Sequence, residues 1–345
     1  MRFRTSRLTL VVGLMTVLLS LAVPANADEA SDPILDDLVT PLGLAVGNEG
    51  SIYVAQSFAG TLTQVRKGTE SNLFEGAGVV TGVEANGRGN LTYLLNAEVV
   101  VRTPNGKTRT LANLFDYEAA NNPDESNSYG FQGLSDECAA QVPDFVGGGY
   151  PFPGIVDSNP YAVELMPDGD RVVADAGGNT LVRVASDGAV STLAVLPPRP
   201  ATINAATAGA FGLPPCTIGE TFNFDFVPTD VELGPDGMLY VTSLPGGPEG
   251  ESPLGPRGAV FRVNPSTGAI TEVATGFAGA TDLAVTKNGT IYVTELFGNQ
   301  VSMVSGGGPV PVASMAEPVA IEYAKGTLYV ASGVEGPGQV VALMP

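Results

Sequence analysis

The stretch 228–247, PTDVELGPDGMLYVTSLPGG, decides the fold. Residues Thr229 to Leu233 alternate in polarity and run into Pro235-Asp236-Gly237. Asp-Gly between two apolar runs is a hairpin signal, because glycine supplies the positive φ that the turn needs. Met238 to Thr242 forms the returning strand. Downstream, GAVFRV (258–263), the turn Ser266-Thr267-Gly268 and AITEVA (269–274) add two more strands. The same phrase stands at 160–179, PYAVELMPDGDRVVADAGGN, with strands expected at 162–165, 171–174, 180–184 and 189–194. Looser copies begin at Pro41 (PLGLAVGNEGSIYVAQSFAG), Thr81 (TGVEANGRGNLTYLLNAE), Thr281 (TDLAVTKNGTIYVTELFGNQ) and Pro318 (PVAIEYAKGTLYVASG). Copies of four strands at a period of about 40 residues signal a β-propeller. The expected architecture is all-β: a six-bladed β-propeller of four-stranded blades.

The sixth copy lacks a fourth strand before the chain ends at Pro345, while a spare strand, PILDDLV (33–39), precedes the first copy. Pairing it into the last blade closes the ring and removes the open sheet edge. Three insertions interrupt the spacing, at about 115–159, 199–227 and 245–257. Their Gly, Pro and Asn content predicts loops, and loops of this length tend to be functional or mobile. Strand direction alternates within a blade. The joins between blades and the links from second to third strand therefore share one face, and all three insertions belong to it.

The chain opens MRFRTSRLTLVVGLMTVLLSLAVPANA. A basic start, an apolar run from Leu8 to Val23 and the small-x-small site Ala25-Asn26-Ala27 predict a secretory signal peptide over 1–27, cleaved after Ala27, with the propeller over 28–345. The run is short for a membrane span. The whole chain has 16 Lys and Arg against 36 Asp and Glu. Without the leader's three arginines, 13 remain against 36, a net charge of −23. Such a surface repels nucleic acid and anionic lipid and attracts cations.

There is no histidine. That excludes a Ser-His-Asp triad, a histidine general base and His-ligated zinc or copper. The two cysteines, Cys138 and Cys216, lie in the first and second insertions, which precede neighbouring blades. In an exported chain they read as one disulfide, with free thiols as the alternative.

Aligned just after the second strand, the six copies carry Gln56, Asn96, Asp175, Ser243, Glu295 and Ser332. At the third position of the opening phrase they carry Gly43, Val83, Ala162, Asp230, Asp282 and Ala320. The channel mouth on the insertion face should therefore gather Asp175, Asp230, Asp282 and Glu295, with Gln56, Asn96, Asn159, Ser243 and Ser332 as polar ligand contacts. Converging carboxylates and amides suit Ca²⁺, which takes oxygen ligands in flexible number. The alternative is structural: an Asp at a strand start caps backbone N–H groups. Weaker signals are Gly177-Gly178 and Gly246-Gly247, which could bring backbone near a ligand or simply form turns. Tyr150-Pro151-Phe152-Pro153 could be an aromatic contact or pack a loop onto the domain.

The segment SNPYAVELMPDGDRVVADAGGNTLVRVASDGAVSTLAVLPPR (158–199), with PTDVELGPDGMLYVTSLPGGPEG and RGAVFRV after it, resembles the signature of the ScyD/ScyE family of exported bacterial proteins. The resemblance spans most of the chain after the leader. It implies a six-bladed propeller related to NHL and TolB-like propellers, and it carries over no catalytic residue. The first two copies depart from it, with NEG and NGRGN in place of the PDG turn. The function expected is a non-catalytic module, monomeric, binding a small molecule or an extracellular protein on the loop-bearing face. The alternatives are a Ca²⁺-dependent lactonase or esterase-like hydrolase with its acids at the channel mouth, and a purely structural or cell-surface interaction module. Lack of histidine argues against a quinone-dependent sugar dehydrogenase.

Overall fold

A computed structural model describes residues 32–248 and 252–345; the expected leader and its cleavage site lie outside the described residues. The repeat phrases form six four-stranded antiparallel sheets, each ordered first to fourth strand from the channel outward. Blade 1 comprises Pro41–Val46, Ile52–Gln56, Thr61–Arg66 and Thr69–Glu75. Blade 2 comprises Val80–Ala85, Leu91–Leu95, Glu98–Arg102 and Thr108–Asn113. Blade 3 comprises Pro160–Leu165, Arg171–Asp175, Thr180–Val184 and Val190–Val195. Blade 4 comprises Pro228–Leu233, Leu239–Ser243, Gly258–Val263 and Ile270–Phe277. Blade 5 comprises Ala280–Val285, Ile291–Glu295, Gln300–Ser305 and Gly308–Ser314. Blade 6 holds Pro318–Ala324, Thr327–Ser332 and Gly338–Leu343, and takes its outer strand from the other end of the described chain, Leu35–Leu38. Leu35 lies opposite Val340 and Leu38 opposite Gly338, so the ring is closed by the early strand as the sequence predicts.

Period-two alternation turns these strands into a ring. Side chains on one side of a blade pack on the preceding blade, and those on the other side pack on the following one. Val173 joins the core between blades 2 and 3, whereas its neighbours Val172 and Ala174 join the core between blades 3 and 4. Six such apolar clusters fill the six interfaces, the one between blades 6 and 1 being built on Leu35 and Leu38. Inner strands follow one another closely around the channel. A Cβ on Gly43 would stand 2.4 Å from the Thr81 carbonyl oxygen, and one on Gly82 would stand 2.8 Å from Ala162 Cα. These glycines serve close backbone approach, not turn geometry.

Contrary to the loops expected from their composition, the first two insertions form regular structure. Ser128–Phe131, Phe152–Pro153, Arg199–Thr202 and Thr221–Phe224 form a seventh four-stranded sheet, accompanied by helices Leu114–Asn121, Asp136–Ala139 and Ala205–Ala210. A small core of Phe131, Val142, Ile203, Ala208 and Phe224 lies beneath it. Local signals do predict the helix starts: Asn113, Ser135 and Asn204 each accept a backbone N–H of the first turn. Cys138 and Cys216 are joined, with Cα atoms 5.9 Å apart, so the disulfide ties the first insertion to the second.

Candidate functional site

The inner strand of each blade is a free sheet edge, and its outward N–H groups need partners. In this ring acids supply some of them. Asp230 Oδ2 accepts from Leu283 N–H of the next blade at 3.1 Å. Val285 N–H lowers Glu232 and Ala85 N–H lowers Glu84, each against the larger upward pull of burial. Threonines in the second position of the phrase bridge consecutive blades: Thr81 Oγ1 donates to the Pro160 carbonyl at 2.8 Å and Thr229 Oγ1 to the Ala280 carbonyl at 3.0 Å.

Among the described residues, the channel is therefore lined by six carboxyl groups, Glu84, Glu164, Asp230, Glu232, Asp282 and Glu322, with Tyr161 beside them and no Lys or Arg. They leave a cavity of about 20 Å³, room for one water or a bare ion and too small for an organic molecule. Burial is the main cause that raises all six, and repulsion by neighbouring carboxyls adds to it in all but Asp230. Asp230 rises least, to about 6, because Leu283 and Val231 N–H groups and the Asp282 carboxyl bond to it. Asp282, on the other end of that hydrogen bond, is raised well above the usual carboxylate range by burial and by the charge of Asp230. Glu84 rises to about 7.

Of the four acids expected together, Asp230 and Asp282 meet here; Asp175 and Glu295 do not line the channel. Asp175 Oδ1 accepts from Asn159 N–H at 2.7 Å and from Gly177 and Gly178 N–H at 3.2 Å, and its Oδ2 accepts from Ser158 Oγ. Glu295 Oε2 accepts from Ala278 N–H at 2.7 Å, and Oε1 from Gln300 Nε2. Gln56 Oε1 likewise accepts from Val39 N–H at 2.7 Å. These residues, expected just after the second strand, are in fact its last position, and there they clamp the incoming inter-blade loop. Ser243 donates to the Phe226 and Leu244 carbonyls, Ser332 is buried, and Asn159 is exposed. Among the described residues, no three His, Cys, Asp or Glu side chains gather closely enough to hold a metal ion.

Blade 2 departs from the predicted alignment by one residue. Leu95, not Asn96, pairs with the first residue of the inner strand, and Gly82, not Val83, is the third-position residue. The cause is turn length. Asn96-Ala97 is a two-residue turn with Asn96 at φ +52°, whereas blade 1 uses Ser57 to Gly60. Asn96 Oδ1 nevertheless accepts from Val79 N–H, so the loop clamp survives from a neighbouring position. The four channel glutamates were legible but missed. Glu84, Glu164, Glu232 and Glu322 occupy the fifth position of the phrase, two residues beyond Asp230 in the fourth copy, and so face the same side.

A second acidic cluster, not anticipated, lies beneath the first insertion. Asn179, in the blade 3 turn at φ +51°, is its hub. Its Nδ2 donates to Asp124 Oδ2 at 3.1 Å and Asp225 Oδ1 at 3.3 Å, and its Oδ1 accepts from Phe226 and Val227 N–H. Tyr129 Oη also donates to Asp124 Oδ2, at 2.9 Å. Glu118, on the insertion helix, is 1% exposed; no donor reaches its Oε1. Its Oε2 lies 3.1 Å from where a Gly178 side chain would begin. Burial first, then Asp175, Asp124 and Asp157, push Glu118 up to about 8. Gly177-Gly178 is thereby explained as packing and capping, as is Gly246-Gly247, which lies against Asp225 and Phe224. The YPFP run divides: Phe152 stacks near Tyr129, with ring centroids 6.1 Å apart, while Tyr150 is 54% exposed.

The outer surface is asymmetric. Among the described residues, twelve large apolar side chains are exposed, and nine of them belong to the loop-bearing face: Val39, Phe58, Phe115, Phe145, Tyr150, Ile155, Val156, Ile218 and Phe297.

No protein-family profile and no curated protein sequence matches the chain. Solved structures do resemble it. A gluconolactonase from Xanthomonas campestris is 12% identical, with a TM-score of 0.55, over 90% of this chain and 89% of that one. A quinone-bound aldose sugar dehydrogenase from Streptomyces coelicolor is 13% identical, with a TM-score of 0.54, over 91% and 96%. A virginiamycin B lyase from Staphylococcus aureus is 16% identical, with a TM-score of 0.51, over 89% and 96%. At such identities the likeness is one of fold alone: this chain is a β-propeller.

Proposed function

We propose that this is an exported propeller of the ScyD/ScyE type that binds a small molecule or protein partner on its loop-bearing face without catalysing a reaction there. One observation carries the reading: among the described residues, nine of twelve exposed large apolar side chains belong to that face. Apolar side chains gathered on one face of an otherwise charged protein mark a contact surface. Two features agree with it. The leader and the Cys138–Cys216 disulfide suit an oxidising compartment outside the cytoplasm. The cavity inside the ring is too small for an organic ligand, which directs binding outward.

The test is Nile red fluorescence with purified mature protein. Phe58→Ser with Phe145→Ser and Tyr150→Ser should abolish dye binding, while Val310→Ser with Val312→Ser, on the outer strand of blade 5, should preserve it. Equal dye binding by both variants would defeat the reading.

A second reading is a Ca²⁺-dependent hydrolase of lactones or esters. It is the weaker of the two: burial raises Asp230 and Glu84 toward neutrality, as proton transfer needs, yet both line a cavity with no room for an organic substrate. Asp230→Asn with Asp282→Asn tests it, by calorimetric Ca²⁺ titration alongside lactone hydrolysis. Absence of both signals in the unaltered protein would dismiss it.

A further inference from the structure

Cations are segregated in this molecule as sharply as apolar surface, although Arg66, Arg183 and Arg262 pair with acids of their own face. The first two insertions, residues 114–159 and 196–227, hold ten acids and a single cation, Arg199. Of the 13 Lys and Arg that follow the leader, eleven sit in or beside the turns of the opposite face, among them Lys67, Arg88, Lys107, Lys287 and Lys325. The other two are engaged with aromatic rings. The Arg199 guanidinium lies 5.2 Å from the Phe261 ring centroid and near Glu272, and that of Arg257 lies 4.4 Å from the Phe224 centroid.

The geometry points to a partner of defined chemistry. We propose that the loop-bearing face docks a cationic amphipathic protein segment, one that presents Lys or Arg together with large apolar side chains. This rests on the loop-face reading above and deepens it. Phe145, Tyr150 and Ile155 supply the apolar contacts, and Asp136, Glu137 and Asp144 stand among them in the same insertion. Tyr150 Oη donates to Asp136 Oδ1 at 3.3 Å, which sets an aromatic ring and a carboxylate side by side. Such a pairing matches an apolar residue flanked by a cation and mismatches an anionic surface, where like charges meet. A second copy of this chain meeting it through the same face fits poorly, because the exposed apolar residues of that face bring the same acids with them.

The experiment is fluorescence anisotropy of labelled synthetic helices of about 14 residues, built from Leu and Lys, from Leu and Glu, or from Ser and Lys. The Leu/Lys helix should bind. Phe145→Ser with Tyr150→Ser and Ile155→Ser should weaken it by about tenfold or more, the loss expected for buried anchors. Raising salt from about 50 to about 300 mM should weaken it further, and Val310→Ser with Val312→Ser should leave it unchanged.

Equal binding of the Leu/Glu helix would overturn the charge proposal and leave the loop-face reading standing. Equal binding of the Ser/Lys helix would reduce the effect to long-range attraction and overturn docking. Binding that ignores the Phe145, Tyr150 and Ile155 changes would sink both the proposal and the reading beneath it. No binding of the Leu/Lys helix would overturn the proposal, and Nile red would then judge the reading by itself.

Discussion

Glu118→Gln should stabilise the protein at neutral and alkaline pH and change little in acid. Glu118 is buried beside three other acids with one oxygen lacking a donor, and its folded value is about 8 against an ordinary 4.5. The sign follows from proton binding. Between these two values the folded chain holds a proton that the unfolded chain has released, so stability falls as pH rises. The contribution is whole below about pH 4.5, declines steadily to about pH 8, and is constant above that. A gap of about 3.5 pH units corresponds to ~5 kcal/mol at full ionisation and ~3 kcal/mol at pH 7. Glutamine keeps the shape and removes the titration, and its amide can donate toward Asp124 or Asp175. Urea unfolding of both proteins at about pH 5, 7 and 9 isolates the effect, because the channel acids contribute equally to each. The difference should be about 1 kcal/mol or less at the lowest pH and approach ~5 kcal/mol at the highest. Parallel pH profiles for the two proteins would refute the account of a buried, mostly protonated Glu118.

Other changes probe other parts of the structure. Removing the disulfide with Cys138→Ser and Cys216→Ser, which frees a 78-residue separation, should lower stability by up to about 4–5 kcal/mol and increase proteolysis within the insertions; unchanged melting would show that the seventh sheet holds itself. Leu38→Ala should cost about 2–5 kcal/mol by denaturant titration, since Leu38 anchors the closing strand in the core between blades 6 and 1, and deleting 33–39 should cost more by exposing an edge. Gly82→Val should prevent close approach of blades 2 and 3 and leave little folded protein on gel filtration, whereas Gly50→Ala, at an open turn, should cost only about 1 kcal/mol.

Much of the architecture is local and therefore readable. Asp236-Gly237 makes its hairpin wherever it is placed, and the opening phrase implies strands that the structure reproduces to within one to three residues. The candidate site is legible only in part, because its assembly depends on register. One short turn after Leu95 moves Asn96 off the aligned position, and no composition argument detects it. The glutamates of the fifth position were visible in the repeated phrase, yet their meeting in one channel requires the ring. Glu118, Asp124 and Asn179 are separated along the chain, and nothing near Glu118 announces that a blade 3 turn will bury it.

What the sequence determined by itself is the repeated hairpin, the count of its copies, the strand left over at one end to complete the other, and the two cysteines as candidates for one disulfide. These rest on backbone preferences and alternation, which act over a few residues. Tertiary structure alone decided that six carboxyls share a channel without a cation, that the insertions fold into a sheet, and that apolar and acidic side chains collect on one face. The physical reason is that burial and electrostatic repulsion depend on distance in space, which the order of residues along the chain does not state.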